Sequence, residues 1–234
     1  LGRIDEIYKR IEVYSKSDDE NISIAAFAAF ISEVEKKATA YEFCPEPLKF
    51  VHFSNLTSHM DNSSKYITEL VKELSEVETV WEPSGLTTIS GFQSLISNNL
   101  FERPSKIIAQ LKSIIINEIN HYRVKYHSEM CSYIQRMPSE INLKGWHVVL
   151  KQQGHQTAHI HSGGWLSGVI YLKTVPSLGK DEGAIEFSLN GEQYVNINAS
   201  HLTYHPEVGD IVFFPSSLHH RTIPFTTDKD RIIV

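Results

Sequence analysis

The chain has 234 residues, a formal net charge of −6 and a charged fraction of 21%. This length is enough for one domain, or for one domain with a helical appendage. The negative charge and the lack of any long basic run argue against nucleic acid or an anionic membrane surface as the main partner. No apolar run is long enough to span a bilayer. The two cysteines, Cys44 and Cys131, form no CxxC pair, which favours reduced thiols in a cytoplasmic protein.

Residues 1–42 are predicted to form two helices. Apolar residues recur at helical spacing up to Ile11, and an alanine-rich run covers residues 22–41 before the proline pair that ends at Pro47. Two helices alone bury little surface, so this segment is either the last unit of a helical repeat array or a hairpin packed on the main domain. Because the first residue is Leu1 and not Met, we expect the sequence to be a piece of a longer protein.

Two further helices are predicted before the chain changes character. Residues 66–77 and 104–130 both carry apolar residues on one face, whereas residues 81–92 contain a proline and two glycines and are predicted to be extended chain and turns. The longer helix contains His121 and His127, which are six residues apart. Because that spacing puts them on different faces, both are interpreted as ordinary surface or packing residues.

Short runs rich in β-branched and aromatic residues follow Pro138. Glycine, proline, asparagine and serine separate these runs, which predicts strands at residues 146–150, 165–172, 184–189, 193–197 and 210–214. Many short strands of this kind are typical of a sandwich, jelly roll or barrel. We therefore expect the α+β class, with a helical segment at 1–42 and one domain at 43–234 whose β core begins at about residue 141.

Histidines cluster where the predicted strands end. His159 and His161 lie between two predicted strands, and residues i and i+2 of an extended segment point to the same face, so both can reach one metal ion. A third ligand can come from His219 or His220, which follow the strand at 210–214. Strand alternation does not decide between them, because Pro215 and the serine after it interrupt the parity. Two ligands from one segment and one from another would leave positions open for substrate and oxygen.

These residues belong to longer segments that resemble a known family. The segments are HIHSGGWLSGVIYL (159–172), GAIEF (183–187), VGDIVFFPSSLHHRTIPF (208–225) and Arg231, with GLTTISGFQSLISNNLF (85–101) and CPEPLKFV (44–51) upstream. They resemble the 2-oxoglutarate and iron(II) oxygenases that are often fused behind tetratricopeptide repeats. The resemblance implies a double-stranded β-helix, which is a cupin-like jelly roll, and makes residues 1–42 the tail of such a repeat array.

The resemblance also assigns the metal ligands. It implies that His159, His161 and His220 hold iron, since the distal ligand of the family stands two residues before a position matched here by Thr222. Most related oxygenases have His-x-Asp or His-x-Glu in the first motif, whereas this chain has His-x-His. A neutral imidazole in place of a carboxylate raises the net charge of the site by one, and all three imidazoles must be neutral to bind the metal.

Other candidate residues flank these ligands. Arg231 is predicted to bind the C5 carboxylate of 2-oxoglutarate, because arginine offers two parallel donors and a strand running back beside the His220 strand would place it deeper than the metal. The alternative is a salt bridge from Arg231 to Asp228 or Asp230. Ser167 and Tyr171 are candidates for binding the co-substrate.

The segment before the first motif and one arginine supply further candidates. Gln156 and Arg221 are candidates for binding the substrate. Side chains that orient the metal ligands are expected among Gln152, Gln153, His155, Gln156, Ser167 and Tyr171. Trp146 and Trp165 are interpreted as core residues.

The predicted activity is hydroxylation coupled to oxidative decarboxylation of 2-oxoglutarate, with Fe(II) and O₂ as the other requirements. The substrate is expected to be a protein, a peptide or a small molecule, and neither nucleic acid nor a membrane is expected as a partner. One alternative is a cupin-type metalloenzyme that does not use 2-oxoglutarate, because Gly209, Pro215 and His220 also fit a cupin motif. Against it, residues 162–167 lack the glutamate that the first cupin motif needs. The other alternative is a non-catalytic binding module linked to repeats.

Overall fold

The computed structural model describes residues 2–234, and Leu1 of the predicted helical segment lies outside them. The described helices are α1 (Gly2–Ser17), α2 (Ile22–Val34), α3 (Ser63–Leu74), α4 (Lys106–Tyr126) and α5 (Ser132–Gln135), with 3-10 turns at Pro47–Phe50 and Leu56–Ser58. The strands are β1 (His52–Asn55), β2 (Thr79–Trp81), β3 (Thr88–Ser94), β4 (Val148–Gln156), β5 (Leu166–Lys173), β6 (Ile185–Ser188), β7 (His201–Tyr204), β8 (Asp210–Pro215), β9 (His219–Thr222) and β10 (Arg231–Ile233). None of the helices in this range is long and apolar enough to cross a bilayer.

The strands form two antiparallel sheets. The larger sheet has the order β1-β8-β5-β10-β4-β3-β2, and the smaller has the order β7-β6-β9. Their apolar inner faces contact each other, as in the edge-to-face pair of Phe187 on β6 and Phe214 on β8, whose ring centroids are 4.9 Å apart. The predicted α+β class with a double-stranded β-helix core is therefore confirmed.

Helices cover the outer face of the larger sheet. Helix α4 begins where the Ser105 side chain accepts a hydrogen bond from the N–H of Ile108, and its buried stripe packs on the sheet. Tyr122 in this stripe lies 6.5 Å from Phe213 of β8 and donates its hydroxyl to the carbonyl of Phe50. With one face against these helices, the larger sheet presents its other face to the space between the two sheets.

Helix α2 packs directly against the loop that follows β6. Phe30 lies 4.7 Å from the ring of Tyr194, and Glu33 accepts a hydrogen bond from the N–H of Ser200. The helix ends at Val34 and not near residue 41, as the alanine-rich run had predicted. The reason is local: Lys36 adopts a left-handed conformation with φ of 52°, which a continuing helix does not allow.

One predicted strand is wrong, and several short strands were missed, among them β1 and β7. Residues 193–197 form turns, and the side-chain amide of Asn190 accepts the N–H of Asn196 in place of a strand partner. Strands β1 and β7 are short edge strands of four residues each, which lack the apolar runs that marked the others. Their pairing depends on β8 and β6, and so on contacts that are distant in sequence.

Candidate functional site

His159 and His161 lie in the connection between β4 and β5. This connection is not a regular strand, but one bridge ties it to β9: His159 and His220 exchange backbone hydrogen bonds of 3.1 Å in both directions. The N–H of His161 donates to the carbonyl of Ser216 at 3.1 Å. Backbone hydrogen bonds thus hold together the two segments that carry the predicted ligands.

The three histidines converge at one point. The candidate ligand nitrogens of His159, His161 and His220 all lie within 4.8 Å of one another, and no other group of three such residues in residues 2–234 meets that condition. Their ring centroids are 4.2 to 5.1 Å apart. His219 is turned to the opposite face of β9, where it packs edge-on against Tyr194 at 5.6 Å. The sequence could not settle which of the two histidines faces inward. In the structure, His220 lies beside His159 and His161.

Backbone carbonyls fix two of the three rings. Nδ1 of His159 donates to the carbonyl of Thr157 at 2.7 Å, and Nδ1 of His220 donates to the carbonyl of Leu218 at 3.2 Å. Since a carbonyl can only accept, both rings carry their proton on Nδ1 and present a free Nε2 lone pair. The sequence had suggested side chains for this role, but each carbonyl stands two residues before the histidine that it orients.

Three of the six suggested side chains make other contacts. Gln152 donates to the carbonyl of Thr226, and His155 bonds the carbonyl of Gln153. Ser167 shares a hydrogen bond of 2.7 Å with Ser216 and does not line the cavity described below. His121 and His127 lie on α4 and at its end, away from the histidine cluster, as expected of ordinary surface residues.

Burial keeps all three imidazoles neutral. It lowers the pKa of His161 to about 4, with His159 contributing further, and it lowers the pKa of His159 against the opposing effect of the Thr157 carbonyl. Burial, together with the two neighbouring imidazoles, holds the pKa of His220 well below its ordinary value. Three neutral nitrogen donors can therefore bind a divalent metal at neutral pH, and imidazole suits iron, zinc, copper and nickel.

A cavity of about 50 Å³ lies between the sheets beside this cluster, and we call it the metal cavity. Its polar walls, apart from the three histidines, are Gln156, Tyr171, Arg221, Thr222 and Arg231. Trp146, which was predicted to be a core residue, also lines it, and its ring lies 5.7 Å from that of His161. Trp165 does lie in the core, 5.0 Å from Phe43. Composition alone could not distinguish these two tryptophans.

Arg231 is the most deeply buried charged side chain of the site. It is 1% exposed, its Nη1 donates to Thr222 at 3.1 Å, and its Nε has no hydrogen-bond partner. The guanidinium lies 5.0 Å from the ring centroid of Tyr171, whose buried hydroxyl also lacks a partner. No carboxylate lies within 4.0 Å of it among residues 2–234. Asp230, the suggested salt-bridge partner, pairs with Lys151 at 2.7 Å instead.

The route by which Arg231 reaches the cavity differs from the prediction. Strand β10 does not run beside β9 but pairs with β4 and β5 in the larger sheet, so Arg231 approaches His220 from across the cavity. Burial lowers the pKa of the guanidinium, and the neighbouring Tyr171 opposes that effect. Burial also raises the pKa of Tyr171 to about 12, which keeps its hydroxyl protonated and able to donate.

A second cavity, of about 320 Å³, lies on the outward face of the smaller sheet. Outward residues of β6 and β9 form its floor, and there Nε of Arg221 bonds Glu186 at 2.8 Å. His219 also lines this cavity. Arg221 and His220 belong to the walls of both cavities, so this second space lies next to the metal cavity.

Comparisons with known proteins agree with this geometry. Residues 144–234 match the family model described as "Putative 2OG-Fe(II) oxygenase". No curated protein matches the chain in sequence. Among solved structures, a Pseudomonas putida prolyl-4-hydroxylase is 11% identical with a TM-score of 0.52, and the alignment covers 81% of this chain and 91% of the hydroxylase.

Two other solved structures are similar in fold. A prolyl hydroxylase from Trichoplax adhaerens, in complex with a hypoxia inducible factor oxygen degradation domain peptide fragment, is 13% identical with a TM-score of 0.53, over 91% of this chain and 87% of that one. The non-heme alpha ketoglutarate dependent epimerase SnoN from nogalamycin biosynthesis is 14% identical with a TM-score of 0.53, over 78% and 73%. At these identities the structures establish the fold, and the family match covers the β core. Residues 144–234, which carry the three histidines and Arg231, are therefore similar in sequence to the family described as "Putative 2OG-Fe(II) oxygenase".

Proposed function

We propose that the chain is a non-haem iron(II) enzyme that hydroxylates its substrate, with His159, His161 and His220 as the iron ligands. Three observations support this assignment: the close approach of the three rings, the neutral state that burial imposes, and the free Nε2 that two backbone carbonyls leave. All three ligands are neutral, so the bound metal keeps its full double positive charge. At the metal positions that the protein leaves open, that charge favours an anionic co-substrate over a neutral one.

The observation that carries the proposal is the unpaired charge of Arg231. A guanidinium that is 1% exposed and has no carboxylate neighbour in the described chain is costly to bury. A carboxylate brought by a ligand would neutralise it, and the free Nε and the unpartnered Tyr171 hydroxyl would both donate to that carboxylate. We assign this position to the C5 carboxylate of 2-oxoglutarate, whose other end faces the metal. Ser167 has no place in this assignment, because it bonds Ser216 away from the cavity.

When bound, iron, O₂ and 2-oxoglutarate supply the oxidising chemistry: 2-oxoglutarate is decarboxylated to succinate and CO₂, and one oxygen atom enters a substrate C–H bond. The chain contributes binding and exclusion of water. Arg231 and Tyr171 hold the co-substrate, and the apolar side chains around the cluster, including Trp146 and Phe214, keep bulk water away from it. The need for Arg231 also separates this proposal from a cupin-type enzyme, which has no use for a buried cation there.

The substrate is proposed to contact Gln156 and Arg221. Both line the metal cavity, and Arg221 also lines the larger outward cavity, where a polar substrate would find the Glu186 carboxylate. The similar folds include one solved with a peptide fragment and one that acts in nogalamycin biosynthesis, so both a protein or peptide and a small molecule are compatible with this site.

The remaining parts of the proposal concern the rest of the chain. We propose residues 43–234 as the catalytic unit and residues 1–42 as the end of a tetratricopeptide-type array. The firm packing of α2 on Tyr194 is equally compatible with a hairpin that belongs to the catalytic unit. A cytoplasmic location is proposed because Cys44 and Cys131 are free thiols.

The proposal is tested by binding without oxygen. Protein freed of metal is loaded with Fe(II) under anaerobic conditions, and 2-oxoglutarate is added while the visible metal-to-ligand charge-transfer absorption is recorded. One iron and one 2-oxoglutarate per chain are expected, with the band absent in His220→Ala. Iron binding without any spectral response to 2-oxoglutarate would favour the cupin-type alternative.

A further inference from the structure

Thr222 links the strand of the metal ligand His220 to the buried side chain of Arg231. It lies two residues after His220 on β9, is 4% exposed, and accepts the hydrogen bond of 3.1 Å from Nη1 of Arg231. The other polar side chain beside that guanidinium is Tyr171, whose ring centroid lies 5.0 Å away. Strands β9 and β10 belong to different sheets. This contact therefore spans the space between the sheets and links the strand of the distal histidine to the strand of the buried arginine.

The hydroxyl of Thr222 has a second capacity. Because its oxygen accepts from Arg231, its own proton is free to be donated, and Thr222 lines the metal cavity. A valine of the same shape would leave Nη1 without a partner, and a buried charged donor without a partner is costly. The guanidinium would then keep its packing against the Tyr171 ring, 5.0 Å away, but lose the hydrogen bond that fixes its direction.

We infer that Thr222 is a positioning residue that sets the spacing between the metal and Arg231, and thereby selects a five-carbon 2-keto diacid over shorter and longer ones. This inference rests on the proposed function. A diacid held at both ends must match that spacing, because adding or removing one carbon moves the far carboxylate by more than the roughly 0.5 Å range of hydrogen-bond lengths. A guanidinium fixed by Thr222 cannot follow that movement, whereas a released one can.

The test is a binding series on nickel(II)-loaded protein, in which no turnover occurs. Oxaloacetate, 2-oxoglutarate, 2-oxoadipate and pyruvate are titrated by calorimetry into the parent and into Thr222→Val and Thr222→Ser. The parent should bind 2-oxoglutarate most tightly. In Thr222→Val we expect about tenfold weaker 2-oxoglutarate binding and a flattened preference among the three diacids. Pyruvate, which lacks the second carboxylate, should bind all three proteins equally, and Thr222→Ser should match the parent.

The outcomes separate this inference from the proposed function. If the parent binds pyruvate as tightly as 2-oxoglutarate, the assignment of Arg231 fails and the inference fails with it. If the parent discriminates but Thr222→Val keeps the same preference, only the role of Thr222 is overturned. Equal weakening of pyruvate in Thr222→Val would mean that the metal centre itself was damaged, which also contradicts a positioning role. One nickel per chain in each variant shows that the site is assembled.

Discussion

Replacing Arg231 with methionine separates a ligand-binding arginine from a structural one. The guanidinium is fully buried, has one hydrogen bond to Thr222 and no carboxylate partner in the described chain. In the ligand-free protein its desolvation is therefore poorly compensated. Methionine fills similar volume without the charge, so we expect the unfolding free energy of the ligand-free protein to stay the same or to rise. A structural salt bridge would produce a loss instead.

In contrast to its effect on stability, Arg231→Met should cause a large loss of affinity for 2-oxoglutarate. Breaking a buried, hydrogen-bonded ion pair by removing one partner costs about 3–5 kcal/mol, which corresponds to at least about a hundredfold in affinity. We therefore expect Arg231→Met to bind nickel(II) normally but to need at least about a hundredfold more 2-oxoglutarate for half-saturation. Calorimetry gives the affinity, and thermal unfolding with and without 2-oxoglutarate gives an independent measure, because a ligand stabilises only the protein that binds it.

The matched control removes a neighbouring charge that does not enter the cavity. Lys151 pairs with Asp230, next to Arg231 in the chain, and its side chain is 40% exposed. Lys151→Met should change the 2-oxoglutarate affinity by less than about twofold, since exposed ion pairs contribute little and are screened. An Arg231→Met protein that is destabilised but binds 2-oxoglutarate like the parent would refute the reasoning and restore a purely structural role.

Three further predictions concern the metal, acid stability and a buried carboxylate. His159→Ala, His161→Ala and His220→Ala should each abolish stoichiometric metal binding measured by elemental analysis, whereas His219→Ala, on the other face of β9, should keep it. Burial lowers the pKa of His147 to about 4. Between that pKa and the ordinary histidine pKa, the unfolded chain binds a proton at this residue and the folded chain does not. The free energy of unfolding therefore falls as the pH drops through this range. In metal-free protein, urea titrations should show that His147→Leu loses about 2 kcal/mol less unfolding free energy between pH 7 and pH 5 than the parent does. An equal loss of unfolding free energy in parent and variant would contradict this. Glu118→Ala should cost about 3 kcal/mol in the same titrations without changing metal stoichiometry, because it leaves the imidazoles of His52 and His59, each 2.7 Å from the carboxylate, without their partner.

The sequence predicted the elements whose pattern is local. The apolar stripe of α4 and the β-branched runs of β5 and β8 have periodicities that report which face is buried, and the structure confirms these elements. The edge strands β1 and β7 carry no such signal, because their existence depends on partners far away in the chain. The loop at 193–197 has strand-like residues, yet Val195 and Ile197 are exposed, and side-chain amides replace the ladder of a strand.

The candidate site, too, was predicted only in part from the sequence. The three histidines were proposed from spacing and from the resemblance, and the structure places their rings together. The carbonyls of Thr157 and Leu218 could not be foreseen, because any residue type supplies a backbone carbonyl. The contact of Arg231 with Thr222 across the two sheets also escaped prediction, since it requires knowing that β10 joins the larger sheet. Trp146 was assigned to the core because a tryptophan that lines a cavity and one that fills a core look alike in sequence.

The most direct measurement of the central claim is the fate of 2-oxoglutarate in air. Purified protein is incubated with Fe(II), ascorbate and 2-oxoglutarate labelled at the C1 carboxylate, and labelled CO₂ and succinate are quantified, with His220→Ala as the control. Slow turnover without any added substrate is expected, with one CO₂ released for each succinate formed and none above background in the control. If the iron-loaded parent, shown to bind one iron per chain, forms no more succinate than His220→Ala, the chain does not couple 2-oxoglutarate to oxygen, and the account is contradicted.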